Sequence, residues 1–397
     1  MKSEWKEYAV QELIDLDMLD EPLDGNHGSI HPKASDYVDE GVPFIMANNL
    51  INGVVDLDGC SFISEEQAKT LRKGFAKPGD VLLTHKATIG RTAIVPDRYE
   101  TIILTPQVTY YRVKRGIDNR YLKYYFDSPD FQATLNNWAG SGSTRAYLGI
   151  TAQHKLPIIL PPYNEQQKIA DILEVFDRKI QLNTEINKNL EQQAQAIYQQ
   201  MFIDNPDTDW NEGSLSDIAN ITMGQSPSGS SYNEDGIGTI FFQGRAEFGF
   251  RFPTIRLYTT DPKRMARAND ILMSVRAPVG DLNIAHEDCC IGRGLAAICS
   301  KTNHQSFMLY TMFSLKKQLN VFNGEGTVFG SINRNSLNDM PILIPSDEQI
   351  EKFELIVAPM DAAIRNNYDE ICHLQAVRDY LLPRLMSGEL DVSNIDL

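Results

Sequence analysis

Two long stretches of the chain carry apolar residues at a helical spacing. In both, the apolar positions advance in alternating steps of three and four residues, which is typical of a coiled-coil seam. We predict two long helices that pack on each other; the alternative is that each helix covers only its own globular neighbour. The seam positions are Phe176, Ile180, Asn183, Leu190 and Ile197 in the first stretch and Met360, Ile364, Asn367, Leu374 and Leu381 in the second.

Polar residues and prolines refine this picture of the two helices. One asparagine occupies the equivalent place in each seam, and such a residue fixes register at a cost in stability. We expect the amides of Asn183 and Asn367 to meet near the middle of the pair. Asn164 is the predicted N-cap of the first helix, with Glu165 in its first turn. Pro359 predicts a kink or a late start in the second helix.

Shorter apolar runs lie outside the two helical stretches. The runs DVLLT, TAIVP, VTYYRV and LAAIC are typical of strands, whereas YLKYYFDS and SFMLYTMFSLKKQL are typical of helices. Both kinds of run occur before each long helix, so we predict a mixed α/β domain in each place.

The chain also repeats itself. LNNWAGSGSTRAYLGITAQHKLPIILPPYNEQ (135–166) matches LNVFNGEGTVFGSINRNSLNDMPILIPSDEQ (319–349), GDVLLTHKATIG (79–90) matches NDILMSVRAPVG (269–280), and Trp5 corresponds to Trp210. The predicted fold class is therefore α+β: two mixed α/β globular domains separated by two long helices that form an antiparallel coiled coil, with a pseudo-two-fold internal repeat. The predicted boundaries are 1–160 and 204–345 for the globular domains and 161–203 and 346–390 for the helices, with the polar stretch 202–210 as linker.

The charge balance argues against simple binding to nucleic acid. The 397 residues carry a net charge of -16, whereas phosphate contacts need Lys and Arg. The distribution is uneven, because residues 210–345 carry 12 basic and 12 acidic side chains while residues 346–397 carry 4 and 11. The globular part of the second copy is thus neutral, and the excess of acidic residues lies elsewhere in the chain.

Composition also bears on compartment and metals. The sequence contains no run of eighteen apolar residues and no apolar signal at its start, so we expect a cytoplasmic protein without a membrane span. The five cysteines lack the spacing of metal ligands, although Cys289 and Cys290 lie close to His286. We expect buried thiols and no metal site.

The tripeptide Pro161-Pro162-Tyr163 matches the centre of an amino-methyltransferase motif. That motif needs an Asn or Asp before the prolines to accept the exocyclic amine hydrogens, and here the place is held by Leu160. The second copy reads Ile344-Pro345-Ser346, so the shared feature is a proline stop between a strand and a helix. No glycine-rich loop suited to S-adenosylmethionine and no P-loop is present, and Glu4 with Lys6 lacks the further acidic residue of a nuclease metal site. We predict no catalytic residue and no cofactor in this chain.

These motifs appear twice in the same order, and together they resemble those of a known family. GDVLLTHKATIGRTAIV, the helix entry LPIILPPYNEQQKIADIL with its later echo, and the close LLPRLMSGEL look like the DNA-specificity subunit of type I restriction-modification systems. The resemblance covers nearly the whole chain, although the second helix entry reads IPSDEQIEKF rather than the commoner PP-x-x-EQ form.

The resemblance implies a subunit without chemistry of its own. Each globular part would be a target recognition domain that reads one half of a split, asymmetric site in double-stranded DNA. The helices would set the gap and dock two DNA methyltransferase subunits; at about 36 residues and roughly 1.5 Å per residue, each is a rod on the order of 50 Å. S-adenosylmethionine, ATP and Mg would belong to partner subunits, and a restriction subunit is a further partner that the sequence leaves open.

Base edges in the major groove are read by Arg, Lys, Asn and Gln, with Ser and Thr as adaptable contacts. Residues of these types on predicted loops are the candidate DNA contacts, and the alternative is that they are solvated loop side chains. In the first copy they are Asn48, Asn49, Thr84, Lys86, Thr88, Arg91, Ser143, Thr144 and Arg145; in the second they are Gln243, Arg245, Ser274, Arg276, Arg293, Asn333, Arg334 and Asn335.

The sequence therefore leaves three functions open. The first is a specificity subunit for a methyltransferase and nuclease complex. The second is a self-contained DNA-modifying enzyme, which would transfer methyl groups without a partner. The third is a coiled-coil scaffold, which would not bind DNA even with methyltransferase subunits present.

Overall fold

A computed structural model describes residues 4–140, 146–324 and 330–393. The chain falls into two compact units. The first unit comprises Met1–Leu182 together with Glu370–Leu397, and the second comprises Asn183–Asp369. Both long helices contribute residues to both units, because each helix crosses a unit boundary.

The first unit begins as a β-rich domain and ends in a long helix. Its strands are β1 (Lys6–Ala9), β2 (Leu23–Asp24), β3 (Tyr37–Val38), β4 (Val42–Ile45), β5 (Leu50–Ile51), β6 (Val54–Val55), β7 (Ser61–Ile63), β8 (Phe75–Ala76), β9 (Val81–Lys86), β10 (Thr88–Ile94), β11 (Ile102–Leu104), β12 (Val108–Tyr111) and β13 (Pro157–Leu160). Its helices are α1 (Val10–Asp15), α2 (Glu65–Thr70), α3 (Asn119–Asp127), α4 (Pro129–Trp138), α5 (Ile150–Gln153) and the start of α6 (Tyr163–Tyr198), which continues as a π-helical segment over Gln199–Asp204.

The second unit holds the end of α6 and a second β-rich domain. Its strands are β14 (Asn211–Ser214), β15 (Ala219–Met223), β16 (Tyr232–Asn233), β17 (Thr239–Phe242), β18 (Leu257–Thr259), β19 (Met265–Ala266), β20 (Ile271–Ser274), β21 (Leu282–Ile284), β22 (Cys289–Ile291), β23 (Leu295–Ser300) and β24 (Pro341–Ile344). Its helices are α7 (Leu215–Ile218), α8 (Gln305–Ser314), α9 (Lys316–Asn320), α10 (Arg334–Asn338) and the start of α11 (Asp347–Met386).

The sheets confirm the internal repeat. In the first unit the order is β10-β9-β12-β2 in one sheet and β3-β7-β4-β11-β8 in another, and β1 pairs with β13. In the second unit the corresponding orders are β21-β20-β23-β15 and β16-β18-β17-β22-β19, and β14 pairs with β24. Each five-stranded sheet contains a parallel pair at the same place, β4 with β11 and β17 with β22. The hairpin β5-β6 has no counterpart among the described strands of the second unit.

Local sequence explains why the predicted short helices form. Asp118 caps α3 by accepting hydrogen bonds from the N–H groups of Arg120 and Tyr121, and Ser128 caps α4 with Pro129 in its first turn. The helices predicted over YLKYYFDS and SFMLYTMFSLKKQL are confirmed as α3 and as α8 followed by α9. The strands predicted over DVLLT, TAIVP, VTYYRV and LAAIC are confirmed as β9, β10, β12 and β23.

Within each unit the two long helices run antiparallel. In the first unit Arg378 donates to Asp177 (2.8 Å) and Lys179 lies 3.4 Å from Glu370, so residue numbers rise along one helix as they fall along the other. In the second unit Asn367 donates to the amide oxygen of Asn187 (2.8 Å). The seam residues are buried or half-buried along both helices: Phe176, Ile180, Asn183, Leu190, Ile197, Met360, Ile364, Asn367, Leu374 and Leu381.

Three details of the helices differ from the sequence prediction. The partner of Asn367 is Asn187, one turn beyond Asn183, although Asn183 is also buried. α6 begins at Tyr163, where the carbonyl of Pro162 accepts from the N–H groups of residues 165 and 166, so Asn164 lies inside the first turn and is not the N-cap. α11 is assigned continuously through Pro359, so the predicted late start is wrong.

Buried and half-buried cations attach each β-rich domain to the helical residues of its own unit. In the first unit Lys123 lies 3.2 Å from Asp177, and Arg120 lies 2.6 Å from Asp171. In the second unit Arg251 contacts Glu191 on α6 (3.0 Å) and Asp361 on α11 (3.3 Å). Each domain is therefore fixed to its helices by ion pairs as well as by apolar packing.

Candidate nucleic-acid interface

The first cluster of exposed polar residues lies at one edge of the five-stranded sheet in the first unit. β4 ends at Ile45 and is followed by Asn48, while its parallel neighbour β11 ends at Leu104 and is followed by Gln107. Because parallel strands end at the same edge, the segments that follow them are brought together. We call this cluster the first edge: Asn48, Lys86, Thr88, Arg91 and Gln107.

The hairpin of β9 and β10 brings Lys86 and Thr88 to this cluster. The carbonyl of Gln107 accepts a hydrogen bond from the N–H of His85 (3.0 Å), which places the end of β9 against the segment that follows β11. Ala87, at the hairpin tip, has a positive φ of 65°, so the tip is a sharp turn that directs its neighbours outward. Arg91 donates to the carbonyl groups of Ala47 (3.4 Å) and Leu50 (3.3 Å), which ties the hairpin to the segment after β4.

The second unit builds the same edge with different residues. Gln243 and Arg245 follow β17, Arg293 follows its parallel neighbour β22, and Arg276 follows β20. Lys86 and Arg276 occupy equivalent places in the two units. Lys86 forms an isolated β-bridge with Tyr147 in the first unit, and Arg276 forms one with Ser331 in the second. We call this cluster the second edge: Gln243, Arg245, Arg276 and Arg293.

Close backbone packing presents Arg293 beside Gln243. The N–H of Gly292 donates to the carbonyl of Phe242 (2.8 Å), and the N–H of Gly294 donates to the carbonyl of Gln243 (3.2 Å). A Cβ at Gly292 would lie 2.8 Å from the Cα of Gln243, so this position does not accommodate a side chain without movement. An arginine between two such glycines is thus held next to a glutamine, which is a pair of side chains suited to guanine and adenine edges.

Several cations on the two edges are available to a ligand. Lys86, Arg276 and Arg293 are exposed, and none of them forms an ion pair within the described parts of the chain. Arg245 is different, since it lies 2.7 Å from Asp281, which also pairs with Lys316. The carboxylate of Asp281 therefore reduces the charge that Arg245 can offer to DNA.

Three predicted contacts are buried and hold the turns instead. The hydroxyl of Thr84 accepts from the N–H of Arg91 (2.9 Å), and the hydroxyl of Ser274, at the equivalent place, accepts from the N–H of Asp281 (2.9 Å). Asn49 accepts from the N–H of Met46 (2.9 Å) and donates to the carbonyl of Gly59. The polar atoms of these three residues are thus engaged in shaping the loops, and base reading by them stays a prediction.

The remaining predicted contacts fall at the start of α10 or outside the described residues. Asn333 is exposed and caps α10 by accepting from the N–H of Ser336 (2.9 Å), while Arg334 and Asn335 are exposed in the first turn of that helix. Ser143, Thr144 and Arg145 lie outside the described residues. DNA contact by the exposed candidates stays a prediction.

A cleft beside the first edge contains two histidines that were not among the predicted contacts. His27 and His31 follow β2 and line a cleft of about 300 Å³ together with Tyr37, Lys86 and Gln107. The signal available in the sequence was the pair of histidines in GNHGSIH, four residues apart and directly after a short strand. His85 lies behind this cleft, where burial lowers the pKa of its imidazole against opposing effects of the Leu148 carbonyl and Asp24.

The described residues offer little support for chemistry at a thiol or a metal. No three His, Cys, Asp or Glu side chains in that part of the chain are placed to hold a metal ion. Burial raises the pKa of the Cys289 thiol to about 12, which keeps it protonated. Cys372 is exposed, so the expectation of buried thiols is wrong for that residue. None of the described helices is both long and apolar enough to cross a bilayer.

Comparison with known proteins decides the family. The family model described as "Type I restriction modification DNA specificity domain" matches residues 2–192 and 207–367. The chain belongs to this family. The two matches follow the internal repeat, one for each β-rich domain with part of a long helix, so the chain is a type I specificity protein with two target recognition domains.

Individual members of the family extend over nearly the whole chain. A Methanocaldococcus jannaschii protein provisionally described as the MjaX type I restriction enzyme specificity subunit is 29% identical over 376 residues, which cover 89% of this chain and 88% of that protein. The type I restriction enzyme MjaIX specificity subunit of the same organism is 25% identical over 399 residues, with 91% and 90% covered. The solved S subunit of a type I restriction-modification system from M. genitalium has a similar fold, with a TM-score of 0.57 at 16% identity and 96% of each chain covered.

Proposed function

We propose that this chain is a non-catalytic subunit that reads a split, asymmetric sequence in double-stranded DNA for a type I restriction-modification complex. Each target recognition domain reads one half of the site through its own edge. The paired helices set the gap between the halves and dock two methyltransferase subunits. S-adenosylmethionine, ATP and Mg belong to the partner subunits, and the complex acts in the cytoplasm.

One observation carries the proposal: the same scaffold presents different side chains at equivalent places. Backbone pairing makes Lys86 equivalent to Arg276, and the residue after β4, Met46, equivalent to Gln243 after β17. Bases are discriminated by the donors and acceptors that a side chain offers, with about 1–3 kcal/mol for each good bidentate contact. Two edges of like shape and unlike chemistry would therefore read two different half-sites.

The charge of the chain is consistent with a shared DNA interface. With a net charge of -16, the chain lacks the cationic surface that tight, independent DNA binding needs. Its exposed, unpaired cations at the two edges would position the duplex and help to specify its sequence. Most of the phosphate contacts would come from the partner subunits.

The test is to sequence the methylated bases of a host that lacks other methyltransferases and expresses this chain with its methyltransferase subunit. We expect one new modified motif made of two separated half-sites of different sequence. A contiguous motif, or methylation unchanged when this chain is omitted, would contradict the proposal. Methyl transfer from labelled S-adenosylmethionine by the purified chain alone would favour a self-contained enzyme, and failure to bind DNA with partners present would favour a scaffold.

A further inference from the structure

We propose that the cleft lined by His27, His31 and Lys86 in the first unit binds one backbone phosphate of the DNA at the first half-site. This inference rests on the proposed function and adds a ligand and two residues to it. We call this place the histidine cleft; it is also lined by Gly28, Tyr37, Met46, Thr105, Pro106 and Gln107.

The histidine cleft adjoins the first edge. Lys86 and Gln107 belong both to the first edge and to the wall of the histidine cleft. The cleft measures about 300 Å³, roughly ten times the ~30 Å³ share of one water molecule, which leaves room for a phosphodiester group. A DNA strand that meets the edge would therefore pass its mouth.

The side chains that line the histidine cleft favour an anionic ligand. The lining contains one lysine and two histidines and no carboxylate. Asp24, which contacts a lining residue, is buried and already paired: it lies 2.9 Å from Nε2 of His27 and forms an ion pair with Lys73. Asp24 fixes the ring of His27 without entering the cleft, so the surface offered to a ligand is one of cationic and donor groups.

The wall of the histidine cleft contains unsatisfied polar atoms. Nδ1 of His31 and Oγ1 of Thr105 are buried and have no hydrogen-bond partner among the described residues. A buried polar atom without a partner costs about 1–3 kcal/mol, so a side-chain rotation that turned either atom toward the cleft would let a polar ligand satisfy it. The His31 ring is held in place by Phe44, with ring centroids 5.6 Å apart.

The kind of cation favours a phosphate over a base edge. A lysine ammonium is a compact point charge that suits a phosphate oxygen, whereas guanine is matched best by the planar fork of arginine. Asn48 and Thr88 are exposed elsewhere on the first edge and are available for base edges. The cleft would then position the duplex and the rest of the edge would specify its sequence.

The second unit serves as an internal control because it lacks the histidines. The strand pairing makes Asp24 equivalent to Met223, so Ser226 stands at the place of His27. The 3₁₀ turn Gly229–Ser231 leads directly into β16 at Tyr232, as the turn Ala34–Asp36 leads into β3 at Tyr37, and the sequence between Ser226 and Tyr232 contains no histidine to match His31. The proposed phosphate contact is therefore specific to the first half-site.

The experiment uses the full complex of this chain with its methyltransferase subunits and a duplex that carries the methylated motif. Single methylphosphonates, which replace a charged phosphate by a neutral one, are placed in turn along both half-sites, and affinity is measured by fluorescence anisotropy. We expect at least one position in the first half-site at which neutralisation weakens binding roughly tenfold, as for the loss of one charge-assisted hydrogen bond.

The cleft is identified by combining that scan with substitutions. Lys86→Gln and His31→Gln should each weaken binding to the duplex without methylphosphonates roughly tenfold. A methylphosphonate at the identified position should then cause no further loss of affinity. The slope of log affinity against log salt concentration should fall by about 1 for Lys86→Gln. Lys155→Gln, an exposed lysine of the first unit outside the cleft, is the matched control and should leave affinity and slope unchanged.

Three outcomes would overturn the inference. If the losses from substitution and neutralisation multiply at every position, the cleft holds none of these phosphates. If Lys86→Gln and His31→Gln change the preferred base at one position instead of weakening all sequences alike, the cleft reads a base. If the complex does not bind the duplex at all, the proposed function fails and the inference fails with it. An unchanged interference pattern in the second half-site shows that each variant is folded.

Discussion

Arg251 provides the sharpest test of how the second recognition domain is held to its helices. Its side chain is 3% exposed, lies 3.0 Å from Glu191 and 3.3 Å from Asp361, and donates to the hydroxyl of Tyr310 (3.2 Å). Arg251→Met keeps much of the apolar stem but leaves two carboxylates without their cation. Breaking a buried ion pair costs about 3–5 kcal/mol. Since both carboxylates retain some exposure, we expect a loss of about 3 kcal/mol in the free energy of unfolding.

The pH dependence of this loss follows from the carboxylates. Burial raises the pKa of Glu191, and Arg251 opposes that rise. Without Arg251 the pKa of Glu191 should rise further above its unfolded value. A carboxyl group shifted in this direction destabilises the fold above its unfolded pKa, and the penalty shrinks as the pH falls and the group becomes protonated. The deficit of Arg251→Met should therefore be largest at about pH 7.5 and smaller at about pH 5.

The assay is urea unfolding followed by Trp210 fluorescence in a background where Trp5 and Trp138 are replaced by Phe. Trp210 belongs to the second unit and packs on Phe202, so its emission reports on that unit. Adding Glu191→Gln to Arg251→Met should recover roughly half of the loss, because one of the two uncompensated charges is removed.

Arg245→Met is the matched control for this prediction. Arg245 is about half exposed, and its partner Asp281 keeps an ion pair with Lys316. Its replacement should change stability by less than about 1 kcal/mol. The reasoning is refuted if Arg251→Met costs no more than Arg245→Met, or if its deficit grows as the pH falls.

Three further predictions concern the seam, the thiols and the second edge. Asn187→Ala should destabilise the helix pair by about 1–3 kcal/mol in urea unfolding because the amide of Asn367 loses its acceptor, whereas Leu at both positions should be near neutral in stability; an equal loss in both variants would contradict this. Maleimide should label Cys372 in the native protein and leave Cys289 unmodified until unfolding, as mass spectrometry of peptides would show. Gly292→Ala should weaken recognition of the second half-site alone in a binding assay, since its Cβ would press on the backbone of Gln243; equal binding would argue against the tight turn as a positioning device.

The repeat and the helix seams could be predicted because they depend on local spacing. The spacing of three and four residues predicts which face of each helix is buried, without knowledge of its neighbours in the fold. In both helices the residues of that face are buried or half-buried. The choice between Asn183 and Asn187 as the partner of Asn367 is different. Both lie in the seam, and the stagger of the helices depends on contacts between distant residues, such as those of Arg251 with Glu191 and Asp361, which no local pattern contains.

The candidate site was predictable only in part, for a similar reason. Residues after strands were a sound guide to the exposed positions Lys86, Arg276 and Arg293. Polar type alone did not separate them from Thr84 and Ser274, whose hydroxyls are used by the hairpin backbone. The histidine cleft was missed because it is assembled from segments that follow β2, β9 and β11, and their pairing depends on the sheets.

The central claim is that each recognition domain reads its own half of a split DNA site. The most direct measurement is the methylated motif of a host that expresses the Arg276→Ala variant with the methyltransferase subunit, compared with the motif of the unchanged chain. Arg276 is exposed on the second edge and forms no ion pair in the described residues. Relaxation of one base position in the second half-site, with the first half-site and the spacing preserved, is the predicted result. Loss of specificity in both halves together, or a motif that does not change, would contradict the account.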